Sequence, residues 1–140
     1  MTEPIGIASG LLALATFASQ SSVLLYSAVE SFQSNKKIIR ELKHELEALN
    51  EVLGSLQQAT ANNVIHLPAL KLPLLRCGWA CQEFEAVIVK CTAHSGGSRT
   101  SFGDWAKLKY MGDDIVGFKN MIAVYKSTIK IALGEANLYV

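Results

Sequence analysis

Residues 35–61 read NKKIIRELKHELEALNEVLGSLQQATA, and this stretch decides the fold class. Ile38, Leu42, Leu46, Leu49, Leu53 and Leu56 recur at spacings of three and four. That period puts one apolar stripe on one face of an α-helix. The remaining surface carries Lys37, Arg40, Glu41, Lys43, Glu47 and Glu51. Lys37–Glu41 and Lys43–Glu47 stand one turn apart, in reach of pairs worth about 0.2–0.5 kcal/mol each when exposed. Ser34 or Asn35 supplies an N-cap. A helix with one long apolar stripe must bury it against other elements, so the flanking segments set the architecture.

Upstream, Pro4 to Phe32 reads as one long helix of weak amphipathicity. Pro4 suits the first turn, where its missing N–H would be unsatisfied anyway. Ile5 to Val29 is rich in Ala, Leu, Ile and Val, with no internal proline. Downstream, Asn62-Asn63, Pro68 and Pro73 break the helical pattern between Ala61 and Pro73. A third helix is expected from Leu74 to Ala93, with Leu74, Cys77, Cys81, Phe84, Ile88 and Cys91 on its stripe. Ser95-Gly96-Gly97-Ser98 then forms a loop. A short helix is expected around Asp104–Tyr110. A long one follows from Gly112-Asp113-Asp114 to Leu138, where an aspartate suits the N-terminus. Its stripe is Ile115, Phe118, Ile122, Tyr125, Ile129 and Leu133, with Lys119, Lys126 and Lys130 flanking it towards solvent. With no alternating strand pattern, the expectation is an all-α multi-helix bundle of about four long helices plus one or two short ones. Residues 1–140 are expected to form a single domain, read as the N-terminal part of a longer protein. Leu42, Leu46, Leu49, Leu53, Phe84, Ile88, Phe118, Ile122 and Ile129 should be buried together.

Composition narrows the function. Half of the 140 residues are apolar and 18% are charged, so the chain has ample material for a core and is too apolar for disorder. Net charge is +1, from 13 basic and 12 acidic residues. That balance argues against a nucleic-acid partner. The charge is unevenly placed. No charged residue lies between Glu3 and Glu30, and no basic one precedes Lys36. A secretory signal would carry a basic start and a shorter apolar run, so the segment does not read as one.

Three cysteines, Cys77, Cys81 and Cys91, form no disulfide framework. On an apolar stripe they read as small buried hydrophobes rather than metal ligands, in a reduced, intracellular protein. His44, His66 and His94 make no catalytic arrangement. Glu41, Glu45, Glu47 and Glu51 share a solvated helix and read as solubilising charge. The Gly96-Gly97 loop lacks the lysine and the strand–helix context of a phosphate loop. No enzyme activity, metal or cofactor is expected.

The first segment is the unusual element. Gly6 and Gly10 form a G-x-x-x-G spacing, and small residues continue at Ala13, Ala15, Ala18, Ser19 and Ser22. Small residues let helices approach closely in lipid. The 26-residue uncharged run Pro4–Val29 would reach about 39 Å as a helix, longer than the roughly 30 Å hydrocarbon core of a bilayer. The soluble reading is a central helix buried on all sides by the other three. The two readings agree if that helix is buried at rest and released on activation.

The opening Met1-Thr-Glu-Pro-Ile-Gly-Ile-Ala-Ser-Gly10, followed by Leu-Leu-Ala-Leu-Ala, resembles fungal HeLo and HeLo-like domains. These are N-terminal domains of fungal STAND or NOD-like receptors and of amyloid-controlled cell-death effectors. The ladder Leu42, Leu46, Leu49 and Leu53 continues the resemblance, and the length fits the HeLo-like branch. The resemblance implies a helical bundle that executes programmed cell death by targeting and permeabilising membranes. It is similar in role to the four-helix domain of the necroptosis executioner and to plant resistance-protein N-termini. The implied functional element is the N-terminal hydrophobic helix, with Ile5, Gly6, Ile7, Gly10, Leu11, Leu12, Leu14, Phe17, Val23, Leu24 and Leu25 as membrane-targeting residues. Membrane lipids, further copies of the chain, and an upstream receptor or amyloid signalling module are the implied partners. The implied location is the cytoplasm at rest and the plasma membrane on activation. The competing reading is a soluble signalling adaptor that acts by protein–protein contacts.

Overall fold

A computed structural model of the chain describes residues 6–31, 37–61, 68–93 and 112–138, with side chains at 10–31, 37–61, 68–89 and 115–134. Four long helices occupy them: α1 (Gly6–Glu30), α2 (Lys37–Ala61), α3 (Lys71–Ala93) and α4 (Gly112–Leu138). A 3-10 turn, Pro68–Leu70, leads into α3. Among the described residues there is no strand, and the fold is an all-α bundle. The expected helix around Asp104–Tyr110, the Gly96-Gly97 loop, Cys91, His66 and His94 lie outside the described side chains.

Helix boundaries follow local chemistry. At the end of α1 the Ser31 N–H donates to the Ser27 and Ala28 carbonyls at 3.1 and 3.2 Å, and Ser31 Oγ donates to Ala28 O at 2.6 Å. Near the end of α2, the Thr60 hydroxyl shares its one proton between Leu56 O at 2.9 Å and Gln57 O at 3.0 Å. The third helix starts three residues earlier than expected, at Lys71 rather than Leu74. Pro73 then lies within the first turn, where a backbone N–H would have no intrahelical partner, so proline's missing N–H breaks no helical bond.

The helices pack in the order α3, α1, α2, α4, and a narrower α3/α4 contact closes the bundle. Phe84 and Phe118 stack across that closing contact, centroids 4.3 Å apart and rings within 5° of parallel. All nine expected core residues are buried, in one cluster with Leu11, Leu25, Leu74 and Ile115. Cys77 and Cys81 belong to the same cluster, as small apolar side chains.

Two expectations need correction. The α2 seam runs Ile39, Leu42, Leu46, Leu49, Leu53, Leu56 and Thr60, so Ile39 is buried where Ile38 was expected. Adjacent isoleucines leave the phase open in the sequence, and the strict three–four alternation of the packed seam selects the second. The other correction concerns α1, which is not wrapped on all sides. Its extensive packing is on α2 and α3, and one face remains in solvent.

Candidate functional site

Helix α1 buries Leu11, Ala15, Ala18, Ser22, Leu25 and Val29 completely or nearly so, in alternating steps of four and three. Its opposite face exposes Ala13, Gln20, Val23, Leu24 and Ser27. The expected membrane-targeting residues therefore divide among several environments. Leu11 and Leu25 are fully buried, while Gly10, Leu12, Leu14 and Phe17 are half-buried. Val23 and Leu24 are exposed, at 47% and 58%. They line an open depression of about 390 Å³ with Ser19 and Gln20. Gly6 and Ile7 are in α1, with the Ile7 side chain outside the described set, and Ile5 lies outside the described residues. An 18-residue stretch within Gly10–Glu30 has a mean hydropathy of 1.4, and one third of it (33%) is buried. The 21 residues of Gly10–Glu30 span about 31 Å, close to the roughly 30 Å of a hydrocarbon core. This is the one helix among the described residues long and apolar enough to cross a membrane.

The two sides of α1 are held differently. Against α3 the contact is apolar and close. A Cβ added at Gly78 would overlap the Phe17 ring, so the glycine is what lets the ring lie on the α3 backbone. At the start of the same seam, a Cβ on Gly10 would meet the flexible end of Lys71, with Nζ at 3.3 Å. Against α2 the margin is polar. Tyr26 Oη donates to Glu47 Oε2 at 2.9 Å, and Gln57 Nε2 donates to Thr16 Oγ1 at 3.2 Å. These two bonds fix an antiparallel register. Among the described residues, Ser22 Oγ and Asn50 Oδ1 are buried with no hydrogen-bond partner.

Around Tyr26 the electrostatics are local. The bond to Glu47 is the first cause that raises the Tyr26 pKa above its ordinary value, followed by burial and the Glu47 charge. Arg40, Lys43 and His44 join Tyr26 and Glu47 around a notch of about 200 Å³. His44 Nδ1 lies 3.7 Å from Glu47 Oε1. The expected Lys43–Glu47 pair is thus replaced by Tyr26 and His44 as partners of Glu47.

Glu41 and Glu45 do more than solubilise the surface. Lys119 Nζ donates to Glu41 Oε1 at 2.8 Å, and Lys126 Nζ to Glu45 Oε1 at 3.0 Å, tying α4 to α2. The lysines expected to reach solvent are 23% exposed at each of these positions. The hydrogen bond from Lys119 is the main cause that holds the Glu41 carboxyl below its ordinary pKa. Lys37 adds the expected pair within α2, at 3.8 Å. The sequence signal for the cross-helix pairs was present, because Lys119 and Lys126 sit seven residues apart beside an apolar stripe. Which helix they faced was not readable.

Cys77 and Cys81 are free thiols one turn apart. The hydrogen bond to Cys77, then burial, pushes the Cys81 thiol pKa far upward, so it stays protonated and unreactive. Among the described residues no group of three or more His, Cys, Asp or Glu could hold a metal.

No curated protein and no solved structure matches the chain. A family profile described as pigment biosynthesis cluster protein PigL N-terminal matches residues 2–140. That family comprises N-terminal domains of fungal pigment cluster proteins and is related to HeLo-like domains. With its match running almost end to end over an all-α bundle, the chain belongs to the family of pigment biosynthesis cluster protein PigL N-terminal domains.

Proposed function

We propose that this domain is a non-catalytic execution module of programmed cell death, in which copies associate on activation and α1 enters and permeabilises a membrane. The observation that carries the reading is α1 itself. It is uncharged from Gly6 to Val29, it matches a bilayer in length, and it is packed on two neighbours along one face. Only two side-chain hydrogen bonds among the described residues, Tyr26–Glu47 and Gln57–Thr16, tie α1 to α2, which suits a helix that is released. The partners are lipid, further copies of the chain and an upstream receptor or amyloid module, with the cytoplasm at rest and the plasma membrane on activation as its locations.

The test is liposome leakage by the domain fused to a forced oligomeriser. The exposed positions make it clean. Ala15→Glu would place a carboxylate at a fully buried site and break the resting fold. Leu24→Lys changes a residue that is 58% exposed and leaves the bundle intact. The inserted lysine costs up to about 2.5–3.5 kcal/mol per helix near the middle of a bilayer, and each copy bears it. Leu24→Lys should therefore abolish leakage with an unchanged unfolding midpoint. A folded, oligomerised Leu24→Lys protein that leaks dye like its parent removes α1 as the membrane element.

The second reading is a soluble signalling domain of a fungal immune-type receptor that works by protein–protein contact. Apolar side chains exposed on α4, Val116, Val124 and Ile131, favour it. Full cell-killing activity in a chain whose α1 never reaches lipid would put it first.

A further inference from the structure

Helix α4 carries a second stripe, on the side away from the core. Gly117, Asn120, Val124, Ser127, Ile131 and Gly134 alternate in steps of three and four, and all six are exposed. Val124 and Ile131 stand out at 62% each. A Cβ added at Gly117 or Gly134 would meet nothing. The stripe is free of charge. Lys119 and Lys126 point the other way, to Glu41 and Glu45 on α2, and Lys130 is exposed on the flank.

We propose that this outer face of α4 docks against the same face of a second copy of the chain, antiparallel about Val124. Three-and-four spacing is the seam of a helix pair, with side chains entering the gaps of the facing helix. A two-fold contact requires a self-complementary surface, and the antiparallel pairing sets the large residues of this one against its small ones. With Val124 on Val124, Ile131 of each copy fills the gap above Gly117 of the other, and Asn120 comes within reach of Ser127. A parallel pair would set isoleucine on isoleucine and glycine on glycine. Area sets the strength. The stripe is about 25 Å long and about 10 Å wide, which hides roughly 300–500 Å² per copy, below the ~800 Å² per partner of a stable interface. The chain is accordingly monomeric when dilute, and pairs once copies are concentrated or tethered. This deepens the association step of the reading above by naming its surface.

Sedimentation of the isolated domain without lipid, over about 10 µM to 1 mM, tests it. The parent should gain mass with concentration. Val124→Glu and Ile131→Glu should each weaken association at least tenfold. Gly117→Leu should do the same by filling the gap, with an unfolding midpoint at or above the parent's because its own fold leaves that space open. In a Cys91→Ser background, Val124→Cys should form a disulfide-linked dimer under oxidation. Gly117→Cys should not do so alone, but should cross-link to an Ile131→Cys chain. A parent that stays monomeric throughout, glutamate variants that associate like the parent, or efficient cross-linking of Gly117→Cys to itself would overturn the proposal. So would a monomeric parent whose binding to anionic phosphatidylserine vesicles is lost in Val124→Glu, since the face would then be a lipid surface. Leakage by the forced oligomer does not need this face, so failure here is distinguishable from failure of α1 as the membrane element.

Discussion

The α1/α3 seam and the α2/α4 seam hold their helices by opposite means. From Gly6 to Val29 α1 has no charge to use, and against α3 it is seated by shape, with the Phe17 ring lying on Gly78. On α4 the margin is electrostatic, with Lys119 on Glu41 and Lys126 on Glu45 beside the leucine ladder. A departing α1 breaks no ion pair, only the Tyr26–Glu47 and Gln57–Thr16 hydrogen bonds, and carries no charge from Gly6 to Val29. A helix placed by ion pairs would have to break them and resolvate both partners. On the proposed mechanism, the contrast suits α1 as the helix that leaves and α4 as the one that stays.

The largest expected effect removes what both seams share. Leu46 is fully buried in the middle of α2, so Leu46→Ala should cost about 2–5 kcal/mol in denaturant unfolding. Loss in one cooperative step means that the two seams are one unit, and two separated transitions would break the comparison.

The next effect isolates the shape-held seam. Gly78→Ala gains helix propensity but pushes into the Phe17 ring, which is half-buried and can partly swing aside. Overpacking costs about 1–3 kcal/mol and the glycine replacement returns about 1, so a net loss of about 1 kcal/mol is expected. In a Phe17→Ala background the same change should become stabilising. A sign that does not reverse in this double-mutant cycle would show that the Phe17–Gly78 fit does not seat α1.

Gly54 provides the control. It is a helical glycine of α2 with nothing within 4 Å of an added Cβ. Gly54→Ala should therefore stabilise the fold by about 0.5–1 kcal/mol, read as a higher unfolding midpoint.

The smallest effect belongs to the ion-paired seam. Lys119 depresses the Glu41 pKa below its ordinary value of 4.5 in the folded chain. The folded state therefore binds fewer protons there than the unfolded state once the pH falls below that value. The contribution is complete above the unfolded pKa and is lost as pH falls through the depressed folded one. Lys119→Gln should lower neutral stability slightly, because the pair is partly solvated, and flatten the acid limb below about pH 4.5 by the same small amount. An unaltered acid limb, followed by urea midpoints against pH, would remove the electrostatic half of the contrast.

The all-α class, the four long helices and nearly the whole core were legible in the residues, because a stripe at helical spacing names its own buried face. The leucines of α2 show this best: all but the Ile38/Ile39 ambiguity was settled by period alone. The uncharged stretch from Gly6 to Val29 marked itself too, since the absence of charge is a property of residues and needs no neighbours. What waited for the tertiary structure was every relation between helices. Residues nearly uniform in polarity do not say which face of α1 is covered, and packing chose Leu11, Ala15, Ala18, Ser22, Leu25 and Val29 while leaving Val23 and Leu24 in solvent. Nor does a lysine flanking a stripe say whether it meets water or a carboxylate 78 residues away in the chain, as Lys119 meets Glu41. Periodicity is a local signal carried along one helix, whereas partner choice depends on how the seams of several helices interlock, and that is decided when they pack.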